Sequence, residues 1–599
     1  MKTIAIDFET TGLDPRTDRV RLVQMYDGEK VTILDVFESS EVLDEIVSLC
    51  EDSKVCKVFH NAKFDLSFVR AHAKRRVRYS NIWDTMLAEQ VLMAGWSYPY
   101  YDKKDGEIKK RLPGFALADL VSRHLGFKLD KDMQKSNWGS KELTEEQLKY
   151  AAKDVEVLLP IHEIQRELLE TNNLIGTAMM EFNTLAPIIE IEFYGMPVDW
   201  AEAEKLRAAK KIELAEAKKD LEKEVRSSQK STQMSLLGIY AGIDINLNSP
   251  VQVTKYLKEK LGYDVDSSDV ETLKSIDHPF AAKLLRFRTL EKHLNFIDQF
   301  ESFGAKTGRL YPSYNQCRAA TGRMSSSKPN GQQIPKRGDG KIFRTLFKTQ
   351  PGYKLVKIDF AAIEMRVIAR LAKDKAMMEA IANGVDLHRL TAAKTANKTM
   401  EEITKDDRQK AKAVNFGLIY GMSAPTLKKY AFMNYNVRMT DDEAVQTRDR
   451  YFDLYRGIAS WHIEQKEAMH TPRPYHCHSH DKGFHIMYVA IQQTLTGRKR
   501  FWANFAGETI AKPTEFYNSS DQGTSADITK LSLIELYKLL PEDAHIIAAI
   551  HDEVLVEVPE EKAQDIAMLL VDTLCRVGSE VLYPVRVDAE VEIHDSWGG

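Results

Sequence analysis

The sequence predicts an α/β domain at the N-terminus, followed by a larger α+β region that makes up most of the chain. With 599 residues, the chain is long enough for several domains. Residues 3–8 and 20–36 alternate like strands, and helical patterns follow from about residue 40. Nearer the C-terminus, a strand-like run at residues 354–359 and an apolar hairpin at residues 546–558 enclose a mostly helical stretch.

Composition narrows the class of protein. The chain is 43% hydrophobic and 29% charged, which is typical of a globular protein with large cores. Its net charge is −4, but basic residues cluster locally at Lys336-Arg337 and Arg498-Lys499-Arg500, and nucleic-acid binding depends on such clusters. The five cysteines form no C-x-x-C pair and fit a reducing cytosol. Without a signal peptide or a bilayer-spanning apolar run, the chain is expected to be cytoplasmic and not membrane-bound.

Each further element follows from its local pattern. Residues 151–169 predict a helix that closes the first domain near residue 175, and residues 190–197 predict a turn. Residues 201–229 predict a long helix of mixed charge, which is most simply a solvated face and does not by itself indicate a grip on DNA. Residues 302–344 predict loops and short strands, and residues 375–510 predict mostly helix.

The first domain carries a constellation of carboxylates. Asp7 and Glu9 stand two apart on a predicted strand, so they share one face, and Asp65 follows an asparagine by four residues. Tyr150 and Asp154 stand four apart on a predicted helix and also share a face. Any of these residues alone could be a solvated surface group. Together they suit two-metal hydrolysis of a phosphodiester, with two Mg²⁺ ions about 3.5–4 Å apart.

These motifs, in this order, resemble the DEDDy class of 3′→5′ exonucleases, which have an RNase H-like α/β fold. Residues 7–12 match its first motif, residues 61–65 its second and residues 150–154 its third. The resemblance implies that the four carboxylates bind the metal ions, and Tyr150 is expected to orient the attacking water. Asp84 is interpreted as an N-terminal helix residue and not as a ligand.

A second constellation lies in the larger region. Asp359 ends an apolar strand, and Asp552 and Glu553 stand at the turn of the apolar hairpin. Solvated turn residues would explain each of them alone. On a predicted helix, cations and aromatic rings recur every four residues and so share one face. Such a face suits the binding of a triphosphate and of a stacked base or sugar. The alternative is a helix whose rings pack in a core and whose cations are solvated. These residues are Arg408, Lys412, Phe416 and Tyr420, with Asn415 as an alternative to the last.

The surrounding sequence resembles family A DNA polymerases over essentially the whole chain. The matching segments occur in family order: residues 321–326 and 330–335 (template–primer segment), 359–366 (motif A), 386–389 (fingers histidine), 408–421 (motif B), 521–528 and 551–554 (motif C). The resemblance implies an exonuclease domain at 1–175 and a right-hand polymerase domain at 176–599. Within the hand it implies a helical thumb at about 200–300, an α+β palm at about 301–374 and 511–599, and helical fingers at about 375–510.

The resemblance also implies roles for individual residues. Asp359, Asp552 and the carbonyl of Phe360 would hold two Mg²⁺ ions, for which Mn²⁺ is expected to substitute. The remaining assignments are phosphate contacts by Arg408, Lys412 and His388, with Lys412 as proton donor; a pocket for sugar and base from Phe416 and Tyr420; a steric gate against ribose at Glu364; and contacts to primer–template DNA by Arg323, Asn518, Gln522 and His551. Donors in the minor groove can check pair geometry without reading sequence.

Two features qualify the likeness. Phe416 occupies a position where family members with phenylalanine discriminate against dideoxynucleotides more than members with tyrosine. Ala361-Ala362 replace the usual Ser-Gln of motif A, which leaves a carbonyl ligand at Phe360 intact but removes a polar contact. We therefore expect catalysis to survive and the details of fidelity to be in question.

Partners and further segments are also expectations. The chain begins with the exonuclease strand, so a 5′-nuclease domain is expected to be missing, as in phage replicative members of the family. Residues 227–273 are too short for a thioredoxin-binding insertion, so thioredoxin is not an expected partner, whereas a replisome helicase or primase is a candidate. A monomer is expected. Residues 470–485 are rich in histidine but match no standard zinc spacing and are interpreted as a polar fingers loop.

Two other functions were weighed against a proofreading DNA polymerase. A single-subunit RNA polymerase has a similar palm site, but Glu364 and the N-terminal exonuclease motifs favour a DNA polymerase. A nuclease whose polymerase region only binds DNA would be expected to lack some of the residues needed for synthesis. Asp359, Asp552, Arg408 and Lys412 are all present.

Overall fold

The computed structural model of the chain describes residues 2–102, 106–230, 245–304, 307–336, 338–505, 508–509 and 512–598. Part of the stretch that was considered for a thioredoxin-binding insertion, residues 231–244, lies outside the described residues, as does Arg337 of the basic cluster.

A mixed five-stranded sheet organises the N-terminal part of the chain. Its order is β3-β2-β1-β4-β5, with β1 antiparallel to β2 and parallel to β4. The strands are β1 (Lys2–Thr10), β2 (Val20–Tyr26), β3 (Val31–Asp35), β4 (Val55–Phe59) and β5 (Ile82–Asp84). The helices are α1 (Glu41–Glu51), α2 (Ala62–Ala73), α3 (Thr85–Leu92), α4 (Leu117–His124), α5 (Glu145–Glu156) and α6 (Leu158–Thr171), and a hairpin joins β6 (Tyr98–Asp102) to β7 (Glu107–Arg111). The predicted α/β fold is confirmed.

A long helix, α7 (Ile175–Tyr194), connects this domain to the rest of the chain. Phe182 and Leu185 pack into the N-terminal apolar core, whereas Ile188 and Ile191 pack into the core of the following region. The turn predicted at residues 190–197 is wrong in its first half, because the buried isoleucines keep the helix going to Tyr194. The chain reverses only at Gly195, whose φ of 65° favours glycine.

Helices dominate the next region. The end of one of them contacts the helical region that follows the strand predicted at residues 354–359. The elements are β8 (Met196–Pro197), α8 (Trp200–Lys230), α9 (Pro250–Glu259), α10 (Val270–Ser275), α11 (Pro279–Gly304), β9 (Arg309–Leu310), β10 (Ser313–Asn315), β11 (Ser325–Ser327) and α12 (Ile342–Thr345). The charged helix predicted at 201–229 is confirmed as α8. Lys274 at the end of α10 donates to the Met433 carbonyl at 3.2 Å, so the two helical regions touch.

An antiparallel sheet of order β17-β18-β12-β19 forms the floor of the larger region. Its strands are β12 (Tyr353–Phe360), β17 (His545–Ile550), β18 (Glu553–Pro559) and β19 (Ala589–His594), and α13 (Ile363–Leu371), α20 (Pro513–Leu539) and α21 (Ala563–Leu582) pack around it. The predicted strand and hairpin are thus confirmed, and both belong to the same sheet.

The region between β12 and α20 is only partly helical. As predicted, helices cover its first two thirds: α14 (Lys375–Ala382), α15 (Leu387–Ala396), α16 (Lys405–Ile419), α17 (Ala424–Tyr435), α18 (Asp441–Leu454) and α19 (Arg456–Met469). A four-stranded antiparallel sheet follows instead of further helix: β13 (Arg473–Ser479), β14 (Gly483–Gln493), β15 (Lys499–Phe505) and β16 (Glu508–Thr509).

This second sheet corrects two expectations, the helical fingers up to residue 510 and the polar histidine loop. The histidines of residues 476–485 lie on or beside β13 and β14, and Tyr475 and Val489 are buried in the core of the N-terminal domain. The alternation in β14, with Phe484, Ile486 and Tyr488 exposed, carried the strand signal. Within the described ranges, no helix is both long and apolar enough to cross a membrane.

Candidate active sites

Four carboxylates from three elements come together in the N-terminal domain. Asp7 and Glu9 lie on β1, Asp65 on α2 and Asp154 on α5. Burial and then the charge of Asp154 raise the pKa of Asp7, and burial followed by the other three carboxylates raises the pKa of Glu9. Burial and Asp7 also raise the pKa of Asp65. The structure therefore brings together the four residues that the motifs singled out.

Tyr150 joins this cluster through Asp154. Its hydroxyl donates to the Asp154 carboxylate, although burial still raises the pKa of Asp154 to about 6. The other carboxylate oxygen, Asp154 Oδ1, is buried and has no hydrogen-bond partner among the described residues. A buried acceptor without a donor is costly, so the cluster is built to receive a cation or a hydrogen-bond donor.

Local capping sets the positions of these residues. Asp84 ends β5 and accepts from the Met86 amide at 2.8 Å, which caps α3 as predicted. It also accepts from the Ala62 amide at 2.9 Å and thereby fixes the start of α2, the helix that carries Asp65. Thr144 begins α5 with a capping box. Asp84 is thus a positioning residue behind the site.

No closed metal cage exists in the described part of the chain: no three histidine, cysteine or carboxylate side chains are placed to hold one ion by themselves. This also holds for the described histidine-rich residues 470–485. Mg²⁺ usually keeps several waters and binds one or two carboxylates together with substrate phosphates, so open carboxylate clusters suit it. Unscreened carboxylates also repel one another, which favours a spread arrangement.

A pair of carboxylates meets at one end of the β17-β18-β12-β19 sheet. Asp359 is the second-last residue of β12, and Asp552 lies in the turn between β17 and β18. The antiparallel register pairs Asp359 with Glu553, which brings Asp552 to the end of β12. Burial, followed by the charge of Asp359, raises the pKa of Asp552 to about 7. His551 completes the tight turn with a φ of 58°.

Lys336 contacts Asp359 and the neighbouring Glu553, and it was not assigned a role from the sequence, where it stood out only as part of a basic cluster. Its ammonium group lies 2.9 Å from Asp359 Oδ2 and 3.3 Å from Glu553 Oε2. Glu553 also accepts from Arg344 at 3.1 Å and from the indole of Trp597 at 2.5 Å. The second oxygen of Asp359, Oδ1, is buried and finds no partner in the residues described.

A cavity of about 340 Å³ opens beside Asp552. Its lining combines charged, aromatic and small side chains: Arg323, Met324, Gln332, Ala362, Ile363, Glu364, Met365, Phe416, Ser525, Ala526, Thr529, His551 and Asp552. Arg323 pairs with Glu364 at 2.5 Å, and the hydroxyl of Tyr420 reaches Glu364 at 3.1 Å. Six sequence-predicted site residues are therefore in or at this cavity.

Helix α16 carries the predicted cations, and a hydrogen-bond chain orients His388 beside it. Thr391 donates to Asn415 Oδ1 at 2.9 Å, so the Asn415 amide nitrogen faces His388 Nδ1 at 2.8 Å. Burial lowers the pKa of His388 to about 4, so the ring is neutral and its proton lies on Nε2. Arg408 pairs with Asp386 at 2.7 Å, and Lys412 lies one turn further along α16.

The predicted DNA contacts outside the cavity lie on α20. Asn518 and Gln522 stand four apart on this helix and are half-buried. Asn518 Oδ1 is buried without a hydrogen-bond partner in the described ranges. Between them, the buried Asp521 lies with its Oδ2 3.0 Å from the hydroxyl of Tyr420. Asp521 was missed because its segment gave a family likeness but no chemical pattern of its own, and Asn415 was expected only as an alternative to Tyr420 on the helix face.

The two sites lie in parts of the chain that match two known family models. Residues 1–170 match the model of a 3′-5′ exonuclease, and residues 213–599 match the model "DNA polymerase family A". The first match contains the four-carboxylate cluster, and the second contains Asp359, Asp552 and α16.

Individual relatives agree with these matches. The chain is 32% identical to a DNA polymerase I of Aquifex aeolicus, over 99% of this chain and 95% of the relative. It is 30% identical to a DNA polymerase I of Pseudomonas aeruginosa, over 94% of this chain but 60% of the relative. Its fold resembles that of the polymerase domain of M. smegmatis Pol1, solved with DNA primer–template and dNTP, with a TM-score of 0.77, 22% identity and coverage of 99% of this chain and 95% of that one. The chain belongs to DNA polymerase family A, and it joins a 3′–5′ exonuclease to a DNA-directed DNA polymerase.

Proposed function

We propose that Asp359, Asp552 and the Phe360 carbonyl hold two Mg²⁺ ions for nucleotidyl transfer, with Mn²⁺ as a substitute. The exonuclease and polymerase families depend generally on divalent metals. The unpartnered Asp359 Oδ1, among the described residues, and the mutual repulsion of the two carboxylates support a cation site here. When bound, the ions lower the pKa of the primer 3′-hydroxyl and stabilise the leaving pyrophosphate.

Side chains of α15 and α16 act on the triphosphate. The primer 3′-oxygen forms a bond to the α-phosphorus, and the bond from that phosphorus to the bridging oxygen of pyrophosphate breaks. Arg408 and Lys412, one helical turn apart, neutralise the negative charge that builds up on the phosphates. Lys412 gives a proton to pyrophosphate, and the Nε2–H of neutral His388 donates to the β-phosphate.

The cavity beside Asp552 selects the incoming nucleotide. Phe416 lines the cavity and Tyr420 contacts its lining residue Glu364, and the two rings contact the sugar and base. Glu364, held by Arg323 and Tyr420, stands where a ribose 2′-hydroxyl would have to enter, so it excludes ribonucleotides. The substrates are dNTPs and a primer–template, which Asn518, Gln522, Arg323 and His551 contact in the minor groove.

The N-terminal cluster removes nucleotides from the primer 3′ end. Asp7, Glu9, Asp65 and Asp154 hold Mg²⁺, and the buried, unpartnered Asp154 Oδ1 within the described structure supports this. Tyr150, bonded to Asp154, orients the water that attacks the phosphodiester. The enzyme works as a cytoplasmic monomer in DNA replication, with a helicase or primase as its candidate partner.

One observation carries the proposal for synthesis: the β12–β18 register puts Asp359 beside Asp552 at the mouth of a cavity lined by Glu364 and Phe416. The test is extension of a labelled primer–template with Mg²⁺ and dNTPs, with a lane without nucleotides for each enzyme. Asp552→Ala should abolish extension and retain shortening, while Glu561→Ala, which removes an exposed acid just past the far end of β18, should extend like wild type. Normal extension by Asp552→Ala would refute the assignment.

A further inference from the structure

We propose that Lys336 is a built-in counter-ion of the synthesis site: its ammonium group neutralises Asp359 while no divalent cation is bound, and it weakens cation binding there by competition. This inference rests on the proposed assignment of Asp359 and Asp552 to the cation site. It gives a role to a charged side chain that the mechanism above does not use.

The contact geometry supports a competing role. Lys336 Nζ lies 2.9 Å from Asp359 Oδ2, which is the distance of a charge-assisted hydrogen bond. Asp359 and Asp552 interact strongly enough that Asp359 raises the pKa of Asp552. An ammonium group at this position offsets part of the repulsion in the free enzyme. A divalent cation between the same carboxylates would offset more of it and has no need of the lysine.

Burial distinguishes Lys336 from a fixed structural ion pair. Its side chain is 57% exposed, whereas that of Arg344, the other cation on Glu553, is 7% exposed. Glu553 therefore keeps a buried partner when Lys336 moves away. Lys336 also lies outside regular structure, between short 3₁₀ turns at Gly331–Gln333 and Gly338–Lys341. The side chain can turn to solvent without breaking the core.

The size of the effect follows from this exposure. Ion pairs that are exposed to water contribute little free energy. Removing this one should change the dissociation constant of the divalent cation by about one and a half to fivefold. The direction is the informative part. A lysine that positions Asp359 for the cation would weaken binding when removed, whereas a competing lysine would tighten it.

The test measures Mn²⁺ binding to the enzyme without DNA or nucleotide, using the electron paramagnetic resonance signal of unbound Mn²⁺. This readout does not depend on catalytic activity. An Asp7→Ala/Asp154→Ala parent removes the exonuclease site. Lys336→Met in this parent should bind Mn²⁺ about one and a half to fivefold more tightly, and Lys336→Arg should bind like the parent. Lys354→Met is the matched control, because Lys354 lies near the start of β12, the strand that carries Asp359, but pairs with Asp595 and Glu560.

Two further variants separate the possible failures. Asp359→Ala should abolish the tightening caused by Lys336→Met, since the lysine acts through that carboxylate. If Asp359→Ala leaves Mn²⁺ binding unchanged, the proposed cation site is wrong and the inference falls with it. If Asp359→Ala weakens binding but Lys336→Met binds no more tightly than the parent, only the counter-ion role is overturned. Equal melting temperatures of parent and variants check that each variant is folded.

Discussion

The hydroxyl of Tyr420 donates to Glu364 Oε2 at 3.1 Å, at the end of α16 and the start of α13. The same hydroxyl lies 3.0 Å from Asp521 Oδ2, yet it has a single proton to donate. Burial, followed by the charge of Glu364, raises the pKa of Asp521 well above its ordinary value. A protonated Asp521 would satisfy this arrangement, so Glu364 is held in place from two sides by Tyr420 and Arg323.

Because Glu364 is held rigidly at the cavity, its removal should open space for a ribose. We expect Glu364→Ala to raise the ratio of ribonucleotide to deoxynucleotide incorporation at least about tenfold, measured as kcat/KM for each. Tyr420→Phe, which keeps the ring but loses the hydroxyl, should give a smaller increase. An unchanged ratio in Glu364→Ala would show that another residue excludes ribose.

Phe416 lines the cavity, with its ring centre 6.0 Å from that of His388. The resemblance predicts that phenylalanine at this position disfavours a nucleotide without a 3′-hydroxyl. We expect Phe416→Tyr to lower the preference for dNTP over ddNTP at least about tenfold, measured by competition in a termination assay. Wild-type enzyme that already accepts ddNTPs as well as dNTPs would contradict this prediction.

A buried ion cluster joins the connecting helix to the polymerase core. Glu181 of α7 accepts from Lys530 of α20 at 2.5 Å and pairs with Arg498, which also bonds Asp527 at 2.8 Å. All four side chains are buried. Glu181→Gln leaves the two buried cations with only the Asp527 carboxylate to balance them. It should therefore lower the free energy of unfolding, measured by urea denaturation, by about 3–5 kcal/mol. Glu535→Ala on the surface of α20 should cost less than about 0.5 kcal/mol, and an equal cost for both would contradict the prediction.

The same cluster should make stability depend on acidic pH. Burial opposes ionisation of Glu181, but Lys530 and Arg498 outweigh it and hold its pKa below its ordinary value. A carboxylate with a lowered pKa stabilises the fold above the unfolded value of about 4.3, and this contribution is lost as the pH falls through the folded value. The stability difference between wild type and Glu181→Gln should therefore shrink below about pH 4. A stability difference that does not change with pH would show that Glu181→Gln acts through packing alone.

The sequence was sufficient to predict which candidate catalytic side chains share one strand, one helix or one turn. Asp7 and Glu9 on one strand, Tyr150 and Asp154 on one helix, and Asp552 in a hairpin turn follow from spacing alone, because strand and helix periods are fixed. The partnership of Asp359 with Asp552 needed the family likeness. Spacing does not specify which strands, almost two hundred residues apart, share a sheet.

What the sequence did not predict depends on tertiary contacts. The β13–β16 region was expected to be helix with a polar loop at residues 470–485, because the histidines of residues 476–485 obscured the apolar alternation around them. The extension of α7 to Tyr194 depends on two different cores whose residues alternate along the second half of the helix: Leu185 and Ile189 pack into one, and Ile188 and Ile191 into the other. Lys336 and Asn415 acquire their roles only through partners distant in sequence, Asp359 and His388.

The central claim is that one chain contains two separate sites, one for removal and one for synthesis. A primer with a mismatched 3′ end, given Mg²⁺ and dNTPs, tests both sites in a single reaction. Wild type should remove the mismatch and then extend the primer, Asp7→Ala should leave the mismatch uncorrected, and Asp552→Ala should only shorten the primer. Loss of both activities in either properly folded variant, or correction of the mismatch by Asp7→Ala, would contradict the account.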